Sequence, residues 1–118
     1  MQTEKITAIH NDLQSQILTG TIESIDDQGY RIVSEAGHFN ASRAFSCIVE
    51  PRMADTILFS MGPSRQCHIL SIIERSGCTD THMAFPGNVS LSTKQGELSL
   101  NGSQGINMSS LQNINMVS

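Results

Sequence analysis

The sequence predicts an all-β protein in which a small closed barrel is followed by a repetitive stem. Three observations predict this fold class. Short segments of alternating apolar and polar residues fill the chain up to residue 86, charged and aromatic side chains become scarce beyond it, and apolar doublets then recur at intervals of 9, 8 and 8 residues. Alternation with a period of two is typical of strands, whose successive side chains point to opposite faces of a sheet.

Composition limits both the architecture and the partners. With 118 residues, 38% of them hydrophobic, the chain can fill one small core and carry an appendage. The net charge of −4 disfavours nucleic acid and anionic lipid as partners. No apolar run approaches the roughly 20 residues of a membrane span, and the first residues lack a signal-peptide pattern. Three unclustered cysteines suit reduced thiols, so we expect a cytoplasmic protein without a membrane span.

An N-terminal segment, residues 1–16, precedes the predicted barrel. Ile6, Ile9, Leu13 and Ile17 follow one another at spacings of 3, 4 and 4. This spacing would align the four side chains on one face of a helix. We therefore predict a short helix before the first strand.

Five strands are predicted in the barrel region, residues 17–86. They lie at residues 21–25, 30–34, 38–41, 56–60 and 67–74. β-Branched residues are frequent in these segments, and turn-forming residues separate them. A longer irregular stretch, residues 44–55, follows the third strand. Five short strands in this arrangement favour a small closed barrel of the OB type over a sandwich, with an SH3-like barrel as the alternative.

A turn at Pro86-Gly87 marks the end of the barrel region. Proline fixes φ at the second position of a turn, and glycine accepts the positive φ that a type II turn needs next. Beyond this turn the charged residues are Lys94 and Glu97, and no aromatic residue follows. We therefore place a domain boundary here and assign residues 87–118 to the stem.

Apolar doublets, in which residues i and i+2 are both apolar, build the predicted stem. Both side chains of a doublet project from the same face of a short strand. The spacers between doublets, TKQG, NGSQG and SSLQN, suit tight turns. The eight doublet residues are Val89, Leu91, Leu98, Leu100, Ile106, Met108, Ile114 and Met116.

A single ribbon of this kind exposes nearly all of its apolar face. Its few buried side chains would not offset the roughly 1–2 kcal/mol of backbone entropy lost per ordered residue. Three chains wound about a shared axis bury the doublets against one another and exchange backbone hydrogen bonds, so we predict an intertwined homotrimeric β-helix. The alternative is a hairpin of one chain, turning at Asn101-Gly102 and packing on its own barrel.

The barrel region also contains an extended motif. Residues 41–51 read ASRAFSCIVEP, residues 55–58 read DTIL, and residues 69–75 read ILSIIER. These segments resemble the pattern A-x-R-A-x-S-C-L-x-x-P, G-D-x-V-L, V-L-A-V-L-E-R of a family of small proteins encoded in type VI secretion gene clusters. The resemblance covers roughly residues 18–100. The family motif residues are Arg43, Ala44, Ser46, Cys47 and Pro51.

A barrel followed by octad-like strands also resembles the stems of bacteriophage tail spikes and of the valine-glycine repeat spike proteins of type VI secretion systems. The resemblance implies a non-enzymatic structural or adaptor component of a secretion spike in a Gram-negative bacterium, exported as part of the apparatus. Its implied partners are further copies of the chain and spike or effector proteins, and no cofactor is implied. The alternative function is a monomeric OB-type binding module that holds an effector peptide or protein.

Two features of the chain depart from that family. Residues 53–55, MAD, replace the usual Gly-Asp turn. The chain stops in mid-pattern at residues 116–118, whereas the repeats of the family generally continue. We therefore expect the sequence to be a fragment.

Residue types that could carry chemistry are present without the spacing that chemistry needs. No C-x-x-C and no paired H-x-x-x-H orients four metal ligands. A nucleophile at Ser46 or Cys47 lacks the G-x-S-x-G elbow that would activate it. We therefore predict no metal site and no catalytic residue. The metal-ligand types considered are Cys47, Cys67, His68, Cys78 and His82.

Nucleic-acid binding by an OB-type barrel needs a basic groove and exposed stacking aromatics. Residues 1–85 hold six basic residues against ten acidic ones. The aromatic residues alternate with apolar neighbours, so we expect them in the core and predict no nucleic-acid binding. These aromatic residues are Tyr30, Phe39, Phe45 and Phe59.

The stretch after the third predicted strand contains further candidates for the core and for an interface. Its alternation predicts that Phe45, Cys47 and Val49 face the core. Arg43 and Glu50 are candidates for an ion pair within or between subunits, and an exposed pair of this kind contributes about 0–1 kcal/mol.

Overall fold

The computed structural model describes residues 15–118, which fall into two compact units. The barrel unit ends at Pro86, and the stem unit comprises Gly87–Ser118. All of the regular secondary structure in the described residues is β-strand. The predicted all-β class is therefore confirmed. Across residues 15–118, no helix has the length and apolarity that crossing a membrane requires.

Five strands of the barrel unit form a closed barrel. The strands are β1 (Gln16–Asp26), β2 (Gly29–Ser34), β3 (Gly37–Arg43), β4 (Thr56–Met61) and β5 (Cys67–Glu74). Their order around the barrel is β1-β2-β3-β5-β4, and β4 pairs with β1 to close it. Neighbouring strands are antiparallel except β3 and β5, which run parallel. Closure leaves no full-length free edge that could pair with another sheet.

The predicted strands are all present, and β1 differs most from its predicted bounds because it begins earlier. Ile17 was expected on a helix, but it lies in β1 opposite Ser60 of β4 and is 64% exposed. The helical assignment of Ile17 was therefore wrong, because the β1–β4 ladder continues as far as Gln16. The other positions of the predicted helix, at residues 6, 9 and 13, lie outside the described residues.

Inward-facing side chains from all five strands form the core. The rings of Phe39 and Phe59 pack at a centroid distance of 5.6 Å. Both residues were predicted to be core, and that prediction is confirmed. Tyr30 is partly buried against the same cluster. The buried residues of the core are Ile22, Ile32, Phe39, Ala41, Cys47, Ile57, Phe59, Cys67 and Ile69.

Gly20 lies on β1 at the tightest approach between strands. A Cβ atom at this position would lie 2.5 Å from Cγ2 of Ile32 and 3.1 Å from Cε1 of Phe59. Replacing Gly20 by Ala is expected to lower the free energy of unfolding by about 1–3 kcal/mol, because core side chains must shift to admit the methyl group. Urea unfolding of the full chain, followed by far-ultraviolet circular dichroism, measures this loss.

Thr19→Ala in the same strand is the matched control. Thr19 is exposed, so its truncation should change the free energy of unfolding by less than about 0.5 kcal/mol. Equal stability of the Gly20→Ala variant and the natural protein would contradict the close packing at Gly20.

Candidate functional site

The motif loop, residues 44–51, reverses the chain after β3. The Ala44 N–H donates to the carbonyl of Ile69 at 3.0 Å, and the Cys47 N–H donates to the carbonyl of Ala44 at 2.9 Å. This turn places Cys47 in the core, as predicted, with 6% exposure. Pro51 is buried and Ser46 is exposed. The motif loop therefore contributes two buried side chains, Cys47 and Pro51, to the barrel unit.

Phe45 does not face the core. Its side chain is 90% exposed, so the sequence-based prediction for this residue was wrong. The turn at residues 44–47 interrupts the strand alternation, and Cys47 occupies the inward position. Val49 is half-buried and forms an isolated bridge with Met83.

A short backbone pairing holds the last part of the barrel unit against the motif loop. The Glu50 N–H donates to the carbonyl of His82 at 2.8 Å, and the Ala84 N–H donates to the carbonyl of Ile48 at 3.1 Å. The chain therefore leaves the barrel unit beside its motif loop.

Asp55 and Arg75 form a buried ion pair near this loop. Asp55 is 1% exposed, and the Arg75 side chain is 11% exposed. The Nε of Arg75 donates to Oδ1 of Asp55 and its Nη2 donates to Oδ2, both at 2.8 Å. The Arg52 N–H also donates to Oδ2 at 2.8 Å. Bidentate pairing with added backbone donors is the arrangement in which a buried carboxylate is best stabilised.

The same guanidinium group bonds to two further segments. Its Nη2 donates to the carbonyl of Glu50 at 3.0 Å, and its Nη1 donates to the carbonyl of Asp80 at 2.7 Å. Arg75 thus joins the motif loop, the start of β4 and the segment after β5. No local sequence pattern marks this cluster, although Asp55 and Arg75 both lie in the segments that carry the family resemblance.

The cluster keeps Asp55 ionised. Burial alone would raise the pKa of Asp55, but hydrogen bonds from Arg75 and from the Arg52 N–H, together with the charges of both arginines, lower this pKa below its ordinary value. The hydrogen bond to Asp55 raises the pKa of Arg75. All of these contacts are made within the chain. The geometry therefore supports a structural role for the cluster, which holds three segments of the barrel unit in place.

Arg43 has an incomplete set of partners. Its Nη2 donates to the carbonyl of Ala84 at 3.5 Å. Its Nη1 is buried and has no hydrogen-bond partner among the described residues. It is the one buried side-chain nitrogen or oxygen atom in that part of the chain without a partner. The carboxylate of Glu50 lies 3.9 Å from Nε2 of His82. Within the chain Arg43 and Glu50 take different partners, and a contact between them across subunits stays a prediction.

A groove of about 530 Å³ lies between the motif loop and β5. Residues 46–49 form one wall and residues 70–75 form the other. The β3–β5 ladder ends at the pair of Arg43 and Ile69. From Leu70 onward, therefore, β5 borders this groove without a partner strand on that side.

The cysteines and histidines of residues 15–118 do not assemble into a metal site. No group of three or more His, Cys, Asp or Glu side chains within residues 15–118 is arranged to hold a metal ion. Cys67 is buried in the core, while Cys78 is exposed. Burial raises the pKa of the Cys47 thiol, which donates to the carbonyl of Val49 at 3.7 Å. A protonated, buried thiol is the opposite of an activated nucleophile.

The stem unit consists of segments joined by bends at regular intervals. The bends lie at residues 94–96, 103–104 and 111–112, within the spacers between doublets. One local hydrogen bond accompanies each bend: Thr93 Oγ1 to the Gly96 carbonyl at 3.2 Å, Gly105 N–H to the Gly102 carbonyl at 3.3 Å, and Gln112 N–H to Ser110 Oγ at 3.2 Å. Gly96 and Gly105 take positive φ values of 111° and 139°.

The doublet side chains are exposed in the single chain. The least exposed is Leu98 at 50%, and the most exposed is Met116 at 85%. Within residues 87–118, all of them described, no strand ladder forms. The alternative hairpin about Asn101-Gly102 is therefore absent, and the Gly102–Gly105 turn does not bring its two arms into register. The eight exposed residues are Val89, Leu91, Leu98, Leu100, Ile106, Met108, Ile114 and Met116.

Comparison with known proteins identifies one family. Searches of the curated proteins and of the solved structures returned no match. A family model described as "Protein of unknown function (DUF3540)" matches residues 20–118. This match begins at Gly20, whose lack of a side chain the β1 packing requires, and it continues through the whole stem unit. The chain therefore belongs to the DUF3540 family.

Proposed function

We propose that the protein is a non-enzymatic structural or adaptor component of a type VI secretion spike assembly, and that it acts as a homotrimer. The observation that carries this proposal is the stem unit, whose eight doublet side chains are all at least half exposed in the single chain. So many exposed apolar residues in one periodic segment indicate a surface that associates with other chains.

The backbone of the stem unit supports the same proposal. Residues 87–118 contain no strand or helix, and they make one backbone–backbone hydrogen bond, from the Gly105 N–H to the Gly102 carbonyl. The remaining N–H and C=O groups need water or another chain as partners. Three copies wound about one axis would pair these groups between chains and bury each doublet against two others.

The barrel unit is consistent with an OB-type module at the head of such a stem. The closed five-stranded barrel, with the order β1-β2-β3-β5-β4, supports this part of the proposal. In the proposed assembly this barrel offers docking surfaces to spike or effector proteins. The stem supplies rigidity, and the trimer would be made in the cytoplasm and exported with the apparatus.

The oligomeric state tests the proposal. Multi-angle light scattering of the full chain at micromolar concentration should give three times the chain mass of 12.8 kDa. A mass of one chain per particle at that concentration would overturn the trimeric stem.

A second candidate function is a monomeric module that binds an extended peptide of an effector. The groove of about 530 Å³ beside β5 favours it, because residues 70–74 of β5 form a strand edge that lacks a β3 partner along this groove. An extended peptide could add to such an edge through backbone hydrogen bonds. A single-chain mass together with retained effector binding would favour this candidate over the trimer.

A further inference from the structure

An exposed apolar surface lies at the point where the chain leaves the barrel unit. Phe45 is 90% exposed and Phe85 is 43% exposed. Together with Arg43, Ala44, Ala84 and Pro86 they line a recess of about 330 Å³. Two exposed phenylalanines around one recess are unusual for a surface that faces only water.

Arg43 adds a polar contact to this surface. One nitrogen of its guanidinium donates to the Ala84 carbonyl at 3.5 Å, and the other terminal nitrogen, Nη1, is buried without an acceptor. Arg43 thus anchors the segment that leads to Phe85 beside the end of β3, and the exposed apolar area around it is what contact with another protein surface would cover.

Chain continuity indicates which surface that is. Pro86 lines the recess, and the stem unit begins at the next residue, Gly87. If three stems wind about one axis, the three copies of Pro86 are held close to that axis. The residues that line the recess with Pro86 then lie close to the same residues of the other two copies.

We propose that the surface formed by Arg43, Phe45 and Phe85 is the contact between the barrels of neighbouring copies, which bury the two exposed rings. This inference rests on the proposed homotrimer and adds the second place where its copies touch. It also assigns a role to the reversal of Phe45 out of the core.

Site-directed cross-linking of the full chain tests this contact. Phe45 is replaced by Cys in a Cys78→Ser background, because Cys78 is exposed while Cys47 and Cys67 are buried. A bismaleimide linker with a span of about 10 Å should then join two of the three chains, because three equivalent positions near the axis lie within its reach. Phe45 is almost fully exposed in the single chain, so the substitution is not expected to prevent folding.

Glu35→Cys in the same background is the matched control. Glu35 is also exposed, and it lies in the turn before β3, at the opposite end of that strand from Phe45. Denaturing gels should show at least tenfold more two-chain product for the Phe45→Cys variant than for the Glu35→Cys variant. Light scattering of the same samples gives the oligomeric state before the linker is added.

The outcomes separate the two proposals. Particles of three chains with selective cross-linking at position 45 support the barrel contact. Particles of three chains with no cross-linking at position 45, or with equal yields at both positions, overturn the contact and leave the trimeric stem standing. One chain per particle in the Glu35→Cys variant as well as in the Phe45→Cys variant overturns both proposals.

Discussion

Replacing Leu100 by Asp is expected to convert the protein from three chains per particle to one. In the proposed stem the three Leu100 side chains meet on the axis, so the variant would place three carboxylates there. Their charges repel one another, and burial in an apolar environment removes the water that would stabilise them. Light scattering at micromolar concentration should show the loss of the trimer, with the barrel unit still folded by circular dichroism.

Asn107→Asp is the control for the added charge. Asn107 stands between Ile106 and Met108, so strand alternation turns its side chain away from the face that the doublets share. This variant adds the same number of carboxylates at almost the same side-chain volume, and its trimer should persist. Loss of the trimer in both variants, or in neither, would contradict an axial position for Leu100.

Removing the carboxylate of Asp55 is expected to cause the largest loss of stability in the barrel unit. Asp55→Ala leaves the guanidinium of Arg75 without its bidentate partner at a site where that side chain is 11% exposed. Breaking a buried pair from one side typically costs about 3–5 kcal/mol. Urea unfolding of the full chain at a fixed protein concentration measures the change.

The exposed pair of Arg31 and Glu23 supplies the control for this variant. Its N–O distance is 3.4 Å and both side chains are more than 40% exposed, so Glu23→Gln should cost no more than about 1 kcal/mol. A loss of similar size in both variants would show that Asp55 acts as an ordinary surface charge.

The Asp55 cluster also fixes how stability depends on pH. The pKa of Asp55 is lower in the folded than in the unfolded chain, so the unfolded chain binds more protons in the acid range. The contribution of Asp55 to the free energy of unfolding is therefore fully present above its unfolded pKa. That contribution is lost as the pH falls from about 4 through the lowered folded pKa. Asp55→Asn should therefore show a shallower acid-side decline in unfolding free energy than the natural protein.

The strands of the barrel were predictable because their signals are local. Alternation marked all five segments, and the Asp26–Gly29 turn shows why the first hairpin was recognisable. The Gln28 N–H donates to Oδ1 of Asp26 at 2.8 Å, and Gly29 has a φ of 129°. Both features follow from residue types that stand beside one another in the sequence.

Most features that the sequence analysis missed depend on distant contacts. Asp55 and Arg75 are 20 residues apart, and no local pattern pairs them. The β1–β4 ladder decided that Ile17 belongs to a strand, and the Ala44–Cys47 turn decided that Phe45 faces outward. For Asp55, Arg75 and Ile17 a partner elsewhere in the chain decided the outcome, whereas Phe45 is turned outward by a local hydrogen bond between residues three apart. The doublets, in contrast, were found from periodicity. In the proposed trimer other chains bury their side chains, and the sequence of a single chain does not display contacts between chains.

Pairing of residues 82–84 with the motif loop determines where mechanical force enters the barrel unit. A pull on the chain beyond Pro86 reaches first the two backbone hydrogen bonds at His82 and Ala84. Behind them, Arg75 ties the carbonyls of Glu50 and Asp80 to the carboxylate of Asp55. The tension would thus be shared among several hydrogen bonds and one ion pair before any strand of the barrel separates from its neighbours.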